Sequence, residues 1–161
     1  MKIYHDSNLL QQLNNYLFLD TNVLIGAIKY RELFGPFLKT IKENGGTFLT
    51  IPSVTFEFLR GTDDVEDYKK REEFIKELCV VYPIENHNND IKDLQQTLGK
   101  EGKNMSYTDF LLCVCAKKFR QGSHLITADL KDVPLKFFKR INVFTVDTDS
   151  DVRVYAVYSL R

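Results

Sequence analysis

The stretch YLFLDTNVLI, residues Tyr16–Ile25, contains the junction from which the fold of this 161-residue chain can be predicted. Its first part, Tyr16–Leu19, is an apolar run of strand length that ends abruptly at the carboxylate of Asp20. The apolar residues that follow recur every third or fourth position, as on one face of a helix. The stretch therefore predicts a strand, a corner at Asp20 and a helix. Ligands of open α/β sheets bind beyond the carboxyl ends of the strands, so Asp20 is a candidate site residue. Asp and Thr are also common helix caps, and a capping role for Asp20 or Thr21 is the alternative.

The composition is typical of one soluble domain, with 43% hydrophobic and 27% charged residues. We expect a single domain over residues 1–161, in which residues 1–15 form an N-terminal extension before the first strand. The formal net charge is zero, which excludes attraction of nucleic acid by bulk charge. A polyanionic partner would need local basic patches or a bound metal ion.

The cysteine and hydropathy patterns predict a cytoplasmic protein. Cys113 and Cys115 are two positions apart in a helical pattern and face different directions, and Cys79 lies far from both, so the three predict neither a disulfide nor a zinc framework. We expect them to be small core residues in a reducing compartment. Every apolar run is too short to span a membrane, and no membrane partner is expected.

Short apolar or β-rich runs alternate with helical patterns along the chain, which predicts an α/β fold with a parallel sheet covered on both faces. Val152–Tyr158 has a β-rich composition and is expected to add a final edge strand. The five main predicted strands are Tyr16–Leu19, Thr47–Ile51, Cys79–Tyr82, His124–Thr127 and Asn142–Val146.

Four acidic residues occur where the predicted sheet would present them at one edge. Asp129 repeats the position of Asp20, because it follows the strand His124–Thr127 at its carboxyl end. Glu57 and Asp109 lie in the first turns of two otherwise apolar helices. Each acid has a simpler explanation taken alone: Glu57 a solvated position, Asp129 a turn former, and Asp109 a capping-box partner of its upstream serine. Their conjunction at one edge favours a shared site.

Carboxylates within about 4 Å of one another repel, so a cluster of four implies a divalent cation. Ligand sets made only of oxygen suit Mg²⁺ or Mn²⁺, and no histidine falls in these segments, which argues against zinc. A metal held by carboxylates is a common device for phosphodiester hydrolysis, because it activates a water molecule and stabilises charge on the phosphate.

Four segments of the chain contain these acids: FLDTNVL (Phe18–Leu24), SVTFEFLRG (Ser53–Gly61), SYTDFLL (Ser106–Leu112) and LITAD (Leu125–Asp129). In this order they resemble the four motifs of PIN-domain ribonucleases. The resemblance implies a three-layer α/β/α sandwich with a mainly parallel sheet in the order 3-2-1-4-5. It also implies a Mg²⁺- or Mn²⁺-dependent endoribonuclease acting on RNA, often a VapC-type toxin of a toxin–antitoxin pair that a small antitoxin protein holds inactive. Dimers are frequent in that family.

The resemblance also implies roles for individual residues. The acidic metal ligands and catalytic residues would be Asp20, Glu57, Asp109 and Asp129. The neighbouring polar groups that orient them or a water molecule would be Thr21, Asn22, Ser106 and Thr127. Asp132, three residues beyond Asp129, is an alternative fourth acid, because the last motif varies most within the family.

Some features depart from the resemblance or favour other functions. Residues 1–15 form a longer leader than many toxin members have. A phosphatase with an aspartyl nucleophile would want a second acid two residues after Asp20, where this chain has Asn22. A PIN-like scaffold that binds RNA or protein without cutting it is the remaining alternative.

Overall fold

The computed structural model describes residues 2–84, 88–119 and 122–161, in which seven strands and seven helices share one hydrophobic core. Met1, the first residue of the predicted extension, lies outside the described residues. The strands are β1 (Lys2–His5), β2 (Tyr16–Leu19), β3 (Thr47–Thr50), β4 (Val80–Val81), β5 (Ser123–Thr127), β6 (Phe138–Asp147) and β7 (Val152–Leu160). The helices are α1 (Leu9–Gln12), α2 (Thr21–Lys29), α3 (Arg31–Glu43), α4 (Pro52–Arg60), α5 (Val65–Leu78), α6 (Asn88–Glu101) and α7 (Tyr107–Lys118).

One half of the sheet is parallel, as the alternation of strands and helices predicts. β2 lies between β3 and β5, and β4 pairs with the outer side of β3. The first four predicted strands therefore stand in the predicted order 3-2-1-4. Because these four strands are parallel, their carboxyl ends lie at the same edge of the sheet. The strand order changes direction between β2 and β5, and α/β folds bind ligands at such a switch point.

Both faces of this half are covered, which confirms the α/β/α arrangement. Leu17, Phe18 and Leu19 are buried one after another, although successive strand side chains point to opposite faces. From β2 to β3 and then to β4, each new strand is added on the same side of the previous one. The connection from β4 to β5 runs in the opposite direction, because β5 lies on the other side of β2. Right-handed crossovers in opposite directions place α6 and α7 on the face opposite α2 to α5.

The other half of the sheet differs from the prediction. β7 is inserted between β5 and β6 and is antiparallel to both, so the expectation that the fifth predicted strand would adjoin the fourth is wrong, and so is the edge position of Val152–Tyr158. Across the described strands, the sheet has three parallel and three antiparallel pairs and is mixed rather than mainly parallel. The physical reason is burial: Tyr155, Ala156, Val157 and Tyr158 are all apolar or aromatic and all buried, which suits a central strand.

The N-terminal extension is part of the same sheet. β1 pairs antiparallel with the free side of β6, an element that the sequence did not predict. The short helix that was predicted from the spacing of Leu9 and Leu13 is present as α1, and both leucines are fully buried.

Within the described ranges, every helix is too short or too polar to cross a lipid bilayer.

Candidate metal centre

Asp20 lies at the carboxyl end of β2, where the chain turns into α2. It occupies the position before the first helical residue, but its side chain makes no capping hydrogen bond to the helix. The carboxylate is only 2% exposed. Its Oδ2 atom accepts a hydrogen bond of 2.7 Å from Thr127 Oγ1 and one of 3.5 Å from Asn22 Nδ2. A buried carboxylate that does not cap its own helix is available for another role.

Thr127 connects the ends of the two central strands. It is the last residue of β5 and is 3% exposed, and β5 runs beside β2 with Ile126 opposite Leu19. Besides donating to Asp20, its hydroxyl accepts a hydrogen bond of 2.9 Å from the backbone N–H of Asp129. One hydroxyl therefore fixes the position of one acid and the backbone of another.

Asp129 is half-buried in the turn that follows β5. Its Oδ1 atom accepts hydrogen bonds from the backbone N–H groups of Lys131 and Asp132, at 2.9 and 3.1 Å. This agrees with the turn-forming role considered for Asp129, and it leaves the Oδ2 atom outside the turn. Asp132 is also half-buried, but it is the charge of Asp129 that acts on Asp109. Asp129 thus interacts electrostatically with one of the other acids, Asp109.

Glu57 connects α4 with two other helices. Thr21 Oγ1, at the start of α2, donates to Glu57 Oε2 at 2.9 Å. Thr108 Oγ1, in the first turn of α7, donates to Glu57 Oε1 at 2.5 Å. The sequence arguments did not single out Thr108, whose side chain is buried. The available signal was its place inside the SYTD segment, between the two residues that were selected.

Asp109 combines the two roles proposed for it. Ser106 caps α7 by accepting a hydrogen bond from the Asp109 backbone N–H at 3.1 Å, as the spacing predicts. The same hydroxyl donates to Asp109 Oδ2 at 2.6 Å. The half-buried carboxylate borders a small pocket at the end of the sheet, whose lining includes Thr127, Asp129 and Met105.

Burial and neighbouring negative charge raise the pKa of two of the acids, Asp20 and Asp109. Burial, followed by the negative charge of Asp109, raises the pKa of Asp20 from 3.8 to about 6, against the opposing effect of the Thr127 hydrogen bond. Burial also raises the pKa of Asp109, against the hydrogen bond from Ser106 and in the same direction as the charges of Asp129 and Glu57. A buried carboxylate whose pKa is raised further by the charge of a neighbouring acid is typical of functional sites.

The donor set suits a hard divalent cation, because it consists of carboxylate oxygens oriented by hydroxyl groups. In the described part of the chain, no three Asp, Glu, His or Cys side chains are close enough together to hold a metal ion as they stand. Metal binding would therefore require side-chain movement, which a cation would favour by offsetting the burial and the like charge that raise the pKa of Asp20 and Asp109.

Comparison with known proteins places the fold. No protein-family model matches the sequence, and no curated protein does. The structure of VapBC2 from Rickettsia felis, bound to a DNA fragment from their promoter, contains a similar chain. The TM-score is 0.63 at 18% sequence identity, over 72% of this chain and 89% of that chain. VapBC-1 from nontypeable Haemophilus influenzae gives a TM-score of 0.57 at 21% identity, over 73% of this chain and 89% of that chain. The PIN-like fold expected from the four motifs is thereby confirmed.

Proposed function

We propose that this chain is a Mg²⁺- or Mn²⁺-dependent endoribonuclease of the PIN type. The observation that carries the proposal is the convergence of Asp20, Glu57, Asp109 and Asp129 from four separate segments at one sheet edge. Two of these acids, Asp20 and Glu57, are oriented by hydroxyl groups from other elements. A group of acids that only capped helices would not need such links between elements.

The proposed roles follow from these contacts. Asp20, Glu57, Asp109 and Asp129 would hold the cation, which when bound supplies an activated water molecule and neutralises charge on the scissile phosphate. Thr127 would hold the Asp20 carboxylate in one orientation, and Thr21 and Thr108 would do the same for Glu57. Ser106 would orient Asp109. Asp132 and Asn22 are assigned supporting positions beside Asp129 and Asp20.

We also propose that the nuclease is the toxin of a toxin–antitoxin pair. The support is the likeness of the fold to chains of two VapBC structures. A small antitoxin protein would then hold it inactive, and homodimers, which are frequent in the resembling family, are the proposed assembly. A cytoplasmic location agrees with three free, buried cysteines, which a reducing compartment would preserve.

The decisive experiment is cleavage of a mixed RNA substrate by the purified chain in Mn²⁺, in Mg²⁺ and in EDTA. We expect cleavage in either metal, none in EDTA, and a loss of at least about a hundredfold in Asp20→Asn, because the variant removes a charged ligand from the metal. Asp93→Asn is the matched control, since Asp93 is exposed on α6 and its Lys117 contact is long, at 3.4 Å.

Unchanged cleavage by Asp20→Asn would overturn the catalytic assignment. RNA binding without cleavage of any RNA in either metal would favour the non-cutting scaffold. The toxin assignment has its own test: growth arrest when the chain is expressed in bacteria, relieved by Asp20→Asn and by a co-expressed small partner. Light scattering of the purified chain would test the dimer.

A further inference from the structure

Two aromatic side chains that are adjacent in sequence to residues of the candidate site are unusually exposed. Phe56 on α4 is 64% exposed, and Tyr107, the first residue of α7, is 73% exposed. Large apolar side chains gain free energy from burial, so two such groups left in water beside one site call for a function.

Their place in the chain ties both rings to the candidate site. Phe56 immediately precedes Glu57, and Tyr107 immediately precedes Thr108. The hydrogen bond of 2.5 Å between Thr108 and Glu57 joins the two helices at this point. Each ring therefore stands one residue from this bonded pair, and Tyr107 is two residues from Asp109.

Neither ring belongs to the hydrophobic core of the described residues. Among the described residues, no other aromatic ring contacts Phe56 or Tyr107, whereas Phe18, Phe34 and Tyr155 all pack against rings in the core. The ring of Phe56 has a cation instead, since the guanidinium of Arg60 lies 6.0 Å from its centroid. An exposed ring next to a cation offers a stacking surface and a phosphate contact together.

We propose that Phe56 and Tyr107 stack against bases of an unpaired RNA strand on either side of the phosphate held at the acidic centre, with Arg60 contacting the strand's backbone. The inference rests on the proposed nuclease function and assigns two residues that position its substrate. Bases in a duplex are already stacked on their neighbours, so these rings select a strand whose bases are free.

The test is binding, so that it does not depend on cleavage. A fluorescein-labelled twelve-nucleotide oligouridine is titrated with the chain in Ca²⁺, and its intactness is checked on a gel. Phe56→Leu and Tyr107→Leu, which keep an apolar side chain and lose the ring, are each expected to weaken binding by at least about fivefold, the lower range for one stacked base. Phe56→Tyr and Tyr107→Phe keep a ring that can stack on a base. Their affinities for the oligouridine are expected to be within about twofold of that of wild type.

The controls separate stacking from other causes. Tyr4→Leu is the matched variant, because Tyr4 is 51% exposed and has Lys2 Nζ at 5.3 Å, but lies on β1 at the far end of the sheet. It is expected to bind like wild type. An abasic strand of equal length should bind weakly and equally to all variants, since it has no bases to stack.

Three results would overturn the proposal: no binding of the oligouridine by wild type, equal binding by the leucine variants, or an equal loss on the abasic strand. Loss of binding to a co-expressed protein partner with unchanged RNA binding would assign the rings to a protein interface instead. Ring-dependent binding by a chain that cleaves no RNA would contradict the nuclease proposal and leave the stacking proposal supported.

Discussion

Asp20 places a carboxylate in a buried position where a second acid opposes its charge. Because the pKa is about 6 in the native chain and near 3.8 when unfolded, the native state binds a proton more tightly. The free energy of unfolding therefore falls as pH rises from about 4 to about 6, and the full loss is present above about 6. The metal-free protein thus carries a cost at neutral pH that a bound cation would remove.

Asp20→Asn should accordingly stabilise the metal-free protein while it abolishes the proposed activity. In EDTA at pH 7.5 we expect its free energy of unfolding to exceed that of wild type by on the order of 1–3 kcal/mol. The difference should vanish near pH 4, where Asp20 of wild type is protonated in the native state. Urea unfolding at the two pH values measures both quantities, and a variant less stable than wild type at pH 7.5 would contradict the electrostatic account.

Thr127 allows a second prediction at the scale of one residue. Thr127→Val keeps the shape of the side chain but removes the hydroxyl that orients Asp20 and receives the Asp129 backbone N–H. We expect Mn²⁺ affinity, measured by calorimetry, to fall by about 10- to 100-fold, as for other groups that orient metal ligands. Thr97→Val is the control, since that buried hydroxyl donates to a backbone carbonyl of α6. Equal affinities of wild type and Thr127→Val would remove Thr127 from the site.

The sequence predicted the four acids from their places relative to strand ends and apolar helices, which a linear pattern can identify. Asp20, Asp109 and Asp129 do lie at such ends, but the expectation that Glu57 lies in the first turns of its helix is wrong, because it is the sixth residue of α4. The hydroxyl pairings were not predictable in the same way. Thr108 meets Glu57 across 51 residues of sequence, and Thr127 meets Asp20 across 107. Such pairings depend on how the helices sit against the sheet, which periodicity does not determine.

Between elements, the packing of α2 on β7 rests on a glycine. A Cβ atom at Gly26 would lie 2.2 Å from the hydroxyl of Tyr155, whose ring is fully buried and stacks on Phe144 at 5.2 Å. The tyrosine is held from both sides, since Phe34 packs edge-on at 5.8 Å. Neither partner can withdraw without disturbing the core.

Gly26→Ala should therefore destabilise the protein by about 1–3 kcal/mol, because overpacking outweighs the higher helix propensity of alanine. Tyr155→Phe in the same chain should restore much of the loss, since it removes the nearest atom. Gly99→Ala on α6, where no atom lies within 4 Å of the added carbon, should be neutral or stabilising. Thermal unfolding of wild type, the two single variants, the double variant and Gly99→Ala tests this, and additive effects of Gly26→Ala and Tyr155→Phe would refute the contact.

The sequence-based prediction placed β7 at the edge of the sheet, although it is a central strand. Its β-rich composition was recognised, but four successive buried side chains from Tyr155 to Tyr158 are typical of a central strand rather than an edge. The strands that flank β7 could not be predicted, because β7 can form a hairpin with β6 on either side of β6. β1, four residues long with only Ile3 partly buried, gave no comparable signal.

In the whole molecule, the candidate site lies in the parallel half of the sheet. β1 is the outermost strand of the antiparallel half, separated from β5 by β6 and β7. Deletion of residues 1–5 should lower the melting temperature by roughly 3–10 °C, because β6 loses its partner over four residue pairs. RNA cleavage below that temperature should stay within twofold of wild type. Val157→Asp, which buries a charge in β7, should instead prevent folding. Loss of cleavage by a folded deletion variant would show that β1 supports the site.

The insertion of β7 also bears on when the chain gains its activity. β7 follows every other described strand in the sequence, yet it fills the gap between β5 and β6. During synthesis the ribosome therefore releases β5, with Thr127 and Asp129 at its end, well before the strand that supports it exists. The sheet is completed only when β7 has emerged. For the proposed nuclease, this order of synthesis delays activity until the ribosome has passed the codons of β7, so that the growing chain cannot cut RNA while the earlier strands are being made.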